Sequence, residues 1–384
     1  MRWSIGLAAL AIWGCGDSPT LPATVYSYTV PPETGDGWLT AHVTAVGIAE
    51  APLEALVDRI RDGSYTNIHS VLLVRGGQLV FEEYFPGTTT ADHVYVEWDR
   101  SRLHDLHSVT KSVTSALIGS ASDQGLISNV DERIATYFPE HADAFIDEPK
   151  ASLTLRHFLT MTAGLEWDEH SYSYADSRNS HVQMNRSGDP VGFTLHLPVV
   201  AEPGETFRYN SGLSIVLGEI VHRVSGLRAD AFAEQFLFGP LGIQNYSWWT
   251  YPDGTVQTGG GLALTPRDMA RFGQLYLNEG TWVGERVLSQ DWVRQSTTWA
   301  VPVTEARELY GYQWWGIRLP RHDNVFDLSD QVLEAAAAVG RGGQWVLVYP
   351  ELDLVAVFTA GNDNQLSNQP LDILRRYIFP AVLH

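Results

Sequence analysis

The chain has 384 residues, of which 44% are apolar and 18% charged, so it is long enough for one large domain or two modest ones and is not a disordered protein. Its 45 acidic and 25 basic residues give a formal net charge of -20, which would repel nucleic-acid phosphates and anionic lipid headgroups. We therefore expect no nucleic-acid partner. The basic residues are arginines except for Lys111 and Lys150, so the setting of each lysine is informative.

The first 15 residues have the features of an export signal. A basic start precedes an apolar run over residues 3–14, which has the length of a signal-peptide core and is too short to span a bilayer. Cys15 follows a small residue, as in bacterial lipoprotein cleavage sites. Two outcomes stay open: a periplasmic or cell-envelope lipoprotein that contacts a membrane through a lipid on Cys15, or plain secretion. Residues 16–37, rich in Pro, Gly, Ser and Thr, predict a tether.

Both ends of the remaining chain, residues 38–384, have strand patterns. The turn Gly76-Gly77 is flanked by β-rich runs and predicts a hairpin. The same pattern recurs near the C-terminus, before a helical segment over residues 370–379. The predicted strands are residues 70–75, 78–84, 344–349 and 354–359.

Between the hairpins the hydrophobic periodicity is mostly helical. Apolar side chains between Val109 and Leu117 share one face of a predicted helix that Gly125 ends. Residues 265–268, Thr-Pro-Arg-Asp, are typical of a helix start, and this second helix runs to about Leu277.

These elements predict an α+β fold rather than a doubly wound parallel sheet, because strands and helices do not alternate along the chain. We expect the terminal strands to join into one antiparallel sheet that helices flank on both faces, in three α-β-α layers. Residues from about 120 to 260 would form a mostly helical lobe of the same catalytic domain. The active site would lie between the sheet and this lobe.

Common catalytic and metal-binding signatures are absent from the sequence. It contains no Gly-x-Ser-x-Gly elbow, His-Glu-x-x-His motif, phosphate-binding loop or EF-hand. His104 and His107 could supply two metal ligands, but no third ligand lies near them, and a single cysteine excludes a multi-cysteine zinc site. A structural or capping role is the simpler interpretation of these histidines. We expect neither a metal nor a cofactor.

A Ser-x-x-Lys pattern, Ser108 to Lys111, begins the first predicted helix. Residues three apart lie on one helix face, so the lysine amine can reach the serine hydroxyl and accept its proton if burial lowers the lysine pKa. The helix N-terminus also favours a developing oxyanion. The alternative is a capping serine beside a surface lysine. We favour the catalytic interpretation, because one of two lysines in the chain lies on this turn.

A second candidate segment is Tyr209-Asn210-Ser211, which follows a Pro-Gly turn. A phenol can relay a proton if a nearby ammonium depresses its pKa, and the Ser211 hydroxyl could extend the hydrogen-bond chain. The alternative is a tyrosine that packs at the edge of a loop.

A third candidate segment is Gly340-Arg341-Gly342-Gly343, directly before a predicted strand. The glycines, Gly342 among them, would let a substrate lie against the strand, and backbone N–H groups there could face an oxyanion. The same residues would also suit an ordinary turn.

Aromatic residues could line a substrate pocket or belong to the ordinary core. Three groups are close together in sequence: Tyr172 and Tyr174, Trp248 and Trp249, and Trp314 and Trp315.

Taken in order, the three segments resemble the penicillin-recognising serine hydrolases, which have a Ser-x-x-Lys motif, then Tyr-x-Asn or Tyr-x-Ser, then a glycine-containing triplet on a strand. The resemblance covers about residues 37–380. It is strongest for the esterase and 6-aminohexanoate-dimer hydrolase-like members of the class C β-lactamase branch. The segments that carry it are residues 69–74, 107–112, 159–168, 261–269 and 342–345.

By position, the resemblance implies that Ser108 is the acylated nucleophile, Lys111 its activator and Tyr209 a second proton carrier. It also implies an oxyanion hole made by the backbone N–H groups of Ser108 and Arg341. Ser211 stands where the β-lactamases have Asn, and Arg341-Gly-Gly or the nearby alanine-rich stretch stands where they have Lys-Thr-Gly.

We therefore expect a β-lactamase/transpeptidase-like serine hydrolase that forms an acyl-enzyme and cleaves ester or unusual amide bonds of small acyl substrates. Efficient β-lactamase activity is not expected, because the amide and the lysine that hold a β-lactam are missing. Within this class, a D-alanyl peptide carboxypeptidase, a penicillin-binding protein or a β-lactamase remains an alternative. Outside it, an inactive binding protein on the same fold remains one.

Overall fold

The computed structural model describes residues 25–90, 92–303, 308–321, 332–363 and 368–383. The predicted signal peptide and Cys15 lie outside these residues. Within the described ranges, no helix is long and apolar enough to cross a membrane.

Strands run through most of the described chain. They are β1 (Leu39–Thr40), β2 (Ile68–Arg75), β3 (Gln78–Tyr84), β4 (Gly87–Thr88), β5 (Tyr95–Val96), β6 (His104–Asp105), β7 (Tyr246–Trp248), β8 (Leu262–Leu264), β9 (Thr281–Trp282), β10 (Glu285–Arg286), β11 (Val301–Pro302), β12 (Glu308–Tyr310), β13 (Trp315–Pro320), β14 (Val332–Gly340), β15 (Gln344–Tyr349) and β16 (Leu354–Ala360). Nine of these described strands form one sheet in the order β1-β3-β2-β16-β15-β14-β13-β12-β11. Strands β6, β8 and β7 form a separate three-stranded sheet.

The first and last long strands lie side by side in the main sheet. Gly76 and Gly77, with φ angles of 61° and 70°, form the two-residue turn between β2 and β3. Strand β16 pairs with β2 in antiparallel register, with Val357 opposite Leu72. Both predicted hairpins and their union in one sheet are therefore confirmed. Strand β1 pairs with β3 in parallel, so the sheet is mixed at this edge, which the sequence did not indicate.

Helical segments surround the sheet and build the lobe. They are α1 (Glu50–Arg61), α2 (Val109–Asp123), α3 (Leu155–Leu159), α4 (Ser180–Arg186), α5 (Pro190–Leu195), α6 (Ser211–Ser225), α7 (Ala229–Ala233), α8 (Gly239–Leu241), α9 (Pro266–Leu277), α10 (Gln290–Ser296), α11 (Gln369–Ile373) and α12 (Phe379–Val382). Wider π-helical turns, Glu234–Phe238 and Leu374–Ile378, join α7 to α8 and α11 to α12. Short 3-10 turns occur at Val43–Val46, Ile134–Tyr137, Pro139–Phe145, Lys150–Ser152 and Pro350–Leu352.

Two hydrophobic cores lie on opposite faces of the main sheet. Side chains alternate along a strand, so the neighbours Val71 and Leu72 of β2 enter different cores. Leu56 of α1 packs into the core that contains Val71, together with the C-terminal helices. Phe272 of α9 belongs to the core that contains Leu72, as does α2. The predicted three-layer α-β-α arrangement is confirmed.

The two helices predicted between the hairpins begin and end where expected, and the segment predicted as helical over residues 370–379 is α11, the π-helical turn and the start of α12. Helix α2 stops at Asp123, and Gly125 follows with φ 71°. Helix α9 begins with Thr265 as N-cap, whose side chain accepts a hydrogen bond from the Asp268 N–H, and it ends at Leu277.

Residues 25–37, predicted as part of a tether, pack against the folded body instead. Tyr26 and Tyr28 are buried, and the Arg267 guanidinium donates a hydrogen bond to Asp36 at 2.9 Å. Pro and Gly content predicts a flexible backbone, but the aromatic and acidic side chains of this segment find partners on the body. The folded part thus begins before residue 38.

Candidate active site

The turn before helix α2 holds Ser108 at the edge of a cavity. The Leu106 N–H donates to the Leu262 carbonyl at 2.9 Å, which extends the pairing of β6 with β8 up to this turn. His107 has φ 47°, in the left-handed region that non-glycine residues rarely adopt. Ser108 is the N-cap of α2, yet its side chain makes no capping hydrogen bond. The hydroxyl is therefore available for another partner.

That partner is Lys111, one helical turn away. The Lys111 Nζ donates to Ser108 Oγ at 3.1 Å and also to the Gly259 carbonyl oxygen. The lysine is 2% exposed, so it is not the surface lysine of the alternative interpretation. Burial lowers the pKa of Lys111 to about 8, against the opposing influence of the Glu169 carboxylate. A neutral amine in contact with the hydroxyl can thus form at mildly alkaline pH.

Tyr209 lies beside the same pair of residues. The Lys111 Nζ is 4.9 Å from the centre of the Tyr209 ring, a distance typical of a cation–π contact. Burial and then Glu169 raise the pKa of Tyr209 well above its ordinary value, while the Ser108 side chain has a smaller lowering effect. The condition considered in the sequence analysis, a Tyr209 pKa lowered by a nearby ammonium, is therefore not met. Tyr209 is a neutral phenol that can donate a proton.

Ser211 lies at the start of α6 but does not extend a hydrogen-bond chain from Tyr209, as the sequence suggested. Its hydroxyl donates to Glu169 Oε1 at 2.6 Å, and its N–H donates to Glu169 Oε2 at 2.9 Å. Asn210 is the N-cap of α6, and its side-chain oxygen accepts from the Gly212 N–H at 2.8 Å. Ser211 also lines the smaller cavity at Ser108, and its substrate-binding role stays a prediction.

Glu169 is the site residue that the sequence analysis missed. It is 3% exposed and lines the cavity at Ser108. Burial raises the pKa of Glu169, but the Lys111 charge and the Ser211 hydrogen bonds lower it. The lowering effects are together the larger, so the net shift is downward and the carboxylate is ionised. In sequence it resembles its neighbours Glu166, which is exposed, and Asp168, which is half-buried. No local pattern separates these three carboxylates.

The end of strand β14 forms the wall of the cavity opposite the helical lobe. Val339 and Gly340 line the cavity. A Cβ atom at Gly340 would lie 2.2 Å from the Leu106 carbonyl oxygen, so the strand end passes directly against the turn that carries Ser108. The segment from Val339 to Arg341 therefore lines the cavity with Ser108, and it contains no lysine.

Gly342, expected to bind substrate, lies in the turn after Gly340. It has φ 88°, and its carbonyl oxygen accepts a hydrogen bond from the Asn362 N–H at 2.9 Å. The residues lining the two cavities at Ser108 include Gly340 and Arg341 but not Gly342. The substrate-binding role of Gly342 stays a prediction.

Arg341 places a guanidinium at the mouth of the site. Its Cζ lies 5.0 Å from the centre of the Tyr174 ring, and its Nε lies 3.5 Å from Asp363 Oδ1. Arg341 and Ser108 line the same cavity. Their pairing as an oxyanion hole stays a prediction.

Two cavities meet at Ser108. The larger has a volume of about 940 Å³, and the smaller, which Ser211 lines, has about 270 Å³. Both are lined by Ser108, Glu169, Tyr174 and Arg341. These volumes suit small organic substrates.

The aromatic groups noted in the sequence divide between pocket and core. Tyr172, Tyr174 and Trp315 line the larger cavity. Trp248 and Trp314 are buried in the core, whereas Trp249 is 49% exposed. One member of a tryptophan pair can reach the pocket while its neighbour does not, because successive strand residues face opposite ways.

The two histidines close together in sequence, His104 and His107, are both buried or half-buried near Ser108. Among the described residues, no group of three or more His, Cys, Asp or Glu side chains is placed to hold a metal ion. His104 Nε2 is 2.8 Å from His69 Nδ1, a hydrogen bond between two buried side chains, and the half-buried Trp98 ring packs against both. Burial lowers the pKa of His107 to about 3, with a further contribution from Arg341.

The mixed sheet, its helical layers and the residues around Ser108 define a β-lactamase-related hydrolase. The family profile described as Beta-lactamase matches residues 56–376, most of the chain. The chain therefore belongs to the beta-lactamase family.

Known relatives agree with this assignment. The 6-aminohexanoate-dimer hydrolase of Paenarthrobacter ureafaciens is 30% identical over 260 residues, which cover 63% of this chain and 61% of that protein. The match thus spans less than two thirds of the relative.

Solved structures share the fold at low sequence identity. Simvastatin synthase from Aspergillus terreus superposes with a TM-score of 0.64 at 14% identity, covering 88% of this chain and 96% of that one. A penicillin-binding protein from Bacillus halodurans gives a TM-score of 0.62 at 17% identity, covering 83% and 98%. The predicted β-lactamase/transpeptidase fold is confirmed.

Proposed function

We propose that this protein is a serine hydrolase that forms an acyl-enzyme at Ser108 and cleaves ester or non-standard amide bonds of small acyl substrates. The observation that carries the proposal is the buried amine of Lys111, which lies 3.1 Å from the Ser108 hydroxyl oxygen. A serine hydroxyl needs a base to become a nucleophile, and a lysine with a lowered pKa can be that base. The 6-aminohexanoate-dimer hydrolase relative supports an amide or ester substrate.

The reaction begins when the neutral Lys111 amine accepts the Ser108 proton and Oγ attacks the substrate carbonyl carbon. The backbone N–H groups of Ser108 and Arg341 stabilise the resulting oxyanion. Tyr209, a neutral phenol, donates its proton to the departing alcohol or amine and recovers one from Lys111. Water then attacks the acyl-enzyme, its proton passes to the same base, and the acid is released as Ser108 regains its hydrogen.

Labelling with a fluorophosphonate tests this proposal against an inactive binding protein. We expect a covalent adduct on Ser108 that disappears in Ser108→Ala. Ser115→Ala is a matched control, because Ser115 is a buried serine further along the same helix whose hydroxyl has no hydrogen-bond partner among the described residues. A folded protein without an adduct would contradict the proposal.

Substrate selectivity distinguishes an esterase from a β-lactamase. Ser211 is held by Glu169, and the end of β14 has no lysine, so the two contacts that orient a β-lactam are missing. Loss of one charge-assisted hydrogen bond costs about 1.5 to 3 kcal/mol. An activated ester needs neither contact. We expect kcat/KM for p-nitrophenyl acetate or butyrate to exceed that for a chromogenic cephalosporin by at least roughly tenfold.

The same preparation should be assayed with D-Ala-D-Ala peptides and a linear aminohexanoate oligomer. Faster turnover of the cephalosporin than of the esters would favour a β-lactamase in place of this proposal. Faster turnover of the D-Ala-D-Ala peptide would favour a carboxypeptidase. Turnover of the aminohexanoate oligomer would favour amides over esters as the substrates of this enzyme.

A further inference from the structure

The two cavities that meet at Ser108 differ in their access to Tyr209. Tyr209 is among the described residues that line the larger cavity and is absent from those that line the smaller one. In the proposed reaction Tyr209 gives its proton to the departing alcohol or amine. A leaving group must lie within hydrogen-bond reach of its proton donor, which favours the larger cavity for this part of the substrate.

The cavities also differ in size and in the chemistry of their walls. The larger, of about 940 Å³, has aromatic walls that include Tyr172, Tyr209 and Trp315. The smaller has about 270 Å³, and each described side chain that lines it carries a polar atom except that of Val182. A long alkyl chain is better placed against aromatic rings than against polar groups that would lose their contact with water.

Gln257 supplies an unpaired acceptor in the wall of the smaller cavity. The residue is 4% exposed, yet no group in the described part of the chain donates a hydrogen bond to its Oε1. Buried amide oxygens are usually paired, because an unmade hydrogen bond is costly. The oxygen lies beside Gly259 and Gly260, which line the same cavity, since a Cβ atom at these positions would be 3.5 and 3.9 Å from it.

The two glycines connect this acceptor to the catalytic turn. The Gly259 carbonyl oxygen accepts a hydrogen bond from Lys111 Nζ. A Cβ atom at Gly260 would be 3.7 Å from the carbonyl oxygen of His107, the residue before Ser108. The segment that carries the acceptor thus packs against the turn that carries Ser108, so substrate groups close to the acyl carbonyl are the ones that can reach it.

Two other polar groups of the smaller cavity differ in how they are paired. The Glu169 carboxylate already accepts from the Ser211 hydroxyl at 2.6 Å, the Tyr174 hydroxyl at 2.9 Å and two N–H groups. His181 Nδ1 is buried and, within the described ranges, has no partner. A neutral imidazole nitrogen donates or accepts according to its tautomer. A hydroxyl group, which donates and accepts, therefore suits both His181 and Gln257.

We propose that the smaller cavity binds the acyl group of the substrate, that the larger cavity binds the leaving group, and that Gln257 selects short acyl groups that carry a hydroxyl. This assignment rests on the proposed function, in which Ser108 is acylated and Tyr209 protonates the leaving group. Gln257 is a specificity residue: its Oε1 accepts a hydrogen bond from the substrate hydroxyl and is left unpaired by an alkyl chain.

Two isomeric esters test the division of the substrate in the wild-type protein. Octyl acetate has a short acyl group and a long alcohol, and ethyl octanoate has the reverse arrangement with the same formula. We expect kcat/KM for octyl acetate, relative to its rate of alkaline hydrolysis, to exceed that for ethyl octanoate by at least roughly tenfold. A ratio of one or less would overturn the assignment of the cavities.

A second pair of esters tests Gln257. The acyl groups of p-nitrophenyl 3-hydroxybutyrate and p-nitrophenyl 3-methylbutyrate differ by a hydroxyl in place of a methyl group. We expect wild type to favour one enantiomer of the hydroxy ester, and Gln257→Met to lower this ratio of kcat/KM values by about tenfold, because methionine offers no strong acceptor. A side chain with a purely structural role would change both rates equally and leave the ratio unmoved.

The local backbone does not depend on the Gln257 side chain. Its N–H donates to the Trp249 carbonyl oxygen at 2.9 Å, and its carbonyl oxygen accepts from the Gly261 N–H at 2.9 Å. We therefore expect Gln257→Met to fold, which circular dichroism melting checks. If it does not fold, the isomeric esters in wild type still decide the assignment of the cavities.

Gln274→Met is the matched control. Gln274 is 2% exposed and also has an unpaired Oε1, but it lies on α9 and lines neither cavity at Ser108. Its ratio for the two acyl groups should stay within about twofold of wild type. An unchanged ratio in active Gln257→Met, or an equal fall in Gln274→Met, would overturn the role of Gln257.

A third pair of esters places the same difference in the alcohol. The ratio of kcat/KM for 2-hydroxypropyl acetate and 2-methylpropyl acetate should not change in Gln257→Met, because the alcohol lies in the other cavity. A change in this ratio instead of the acyl ratio would reverse the two cavities and overturn the proposal. If esters acylate Ser108 but these comparisons fail, the proposed function stands without this division. If no ester acylates Ser108, both fail.

Discussion

The Lys111 side chain illustrates how single contacts decide reactivity. Burial lowers its pKa to about 8, and Glu169 opposes that change. The Lys111 Nζ also donates to the Gly259 carbonyl oxygen and to Ser108 Oγ, which fixes its position beside the Ser108 hydroxyl. Sequence spacing places the amine near the hydroxyl, whereas burial lets the amine lose its proton at mildly alkaline pH.

Substitution of Lys111 tests this role. We expect Lys111→Ala to lower kcat/KM for an ester by about 10²- to 10⁴-fold, the range of general-base catalysis. In wild type, kcat/KM should rise with pH towards about 8 and then level off, because the amine must lose its proton to accept one from Ser108. The variant should lose this rise.

Lys150→Ala is the matched control for this substitution. Lys150 donates to the Leu197 carbonyl oxygen at 2.7 Å, away from the cavities at Ser108. We expect its pH profile to equal that of wild type. A Lys111→Ala enzyme with near wild-type activity would show that the assigned base is wrong.

At the scale of secondary structure, helix α2 is buried on all sides rather than on one face. The side chains from Val109 to Ala121 are buried, because the main sheet lies on one side of the helix and the lobe helix α6 on the other. The periodicity between Val109 and Leu117 indicated the helix but not this double burial. The central position of α2 keeps its N-terminus, with Ser108, between sheet and lobe.

The end of β14 must approach the nucleophile turn closely for this geometry to form. In Gly340→Ala the new Cβ would lie 2.2 Å from the Leu106 carbonyl oxygen, so strand and turn must separate. We expect kcat/KM to fall by at least roughly tenfold and stability to fall by about 1 to 3 kcal/mol, the usual effect of overpacking. Ester kinetics and urea unfolding measure the two effects.

Val332→Ala, at the opposite end of the same strand, is the control for Gly340→Ala. Val332 is half-buried and does not line either cavity at Ser108. We expect its kcat/KM to stay within about threefold of wild type, because the geometry at Ser108 is preserved. Equal activity of Gly340→Ala and wild type would show that the strand end can move without affecting the site.

At the scale of the whole molecule, a buried ionic network attaches the N-terminal segment to the body. Arg267 of α9 donates to Glu82 of β3 at 2.6 and 2.7 Å and to Asp36 at 2.9 Å. The side chains of Arg267 and Glu82 are 4% and 1% exposed. The network therefore joins α9, the main sheet and the segment before β1.

Removal of the arginine leaves the Glu82 carboxylate buried without its bidentate partner. We expect Arg267→Ala to lower the free energy of unfolding by about 3 to 5 kcal/mol, the usual cost of breaking a buried ion pair. Arg318→Ala is the control, because the side chains of the Arg318–Glu334 pair are 44% and 40% exposed. This substitution should lower the free energy of unfolding by less than about 1 kcal/mol. Urea denaturation measures the free energy of unfolding of both variants. Equal losses would show that the buried network stabilises the fold no more than the exposed ion pair does.

The sequence by itself determined the features that depend on local spacing. The glycine turn of the first hairpin, the start of α9 at Thr265 and the placement of Lys111 one turn after Ser108 follow from the periods of strands and helices, which are fixed by backbone geometry. The order of the three motifs then indicated the fold.

Only the tertiary structure decided which of several similar residues in one short segment line the site. Glu169 is buried while Glu166 is exposed, and Gly340 lines the cavity while Gly342 faces Asn362. The residues before β1 also pack on the body, through contacts with side chains more than 200 positions away. Burial and charge at a site depend on such distant contacts, and no short stretch of sequence contains them.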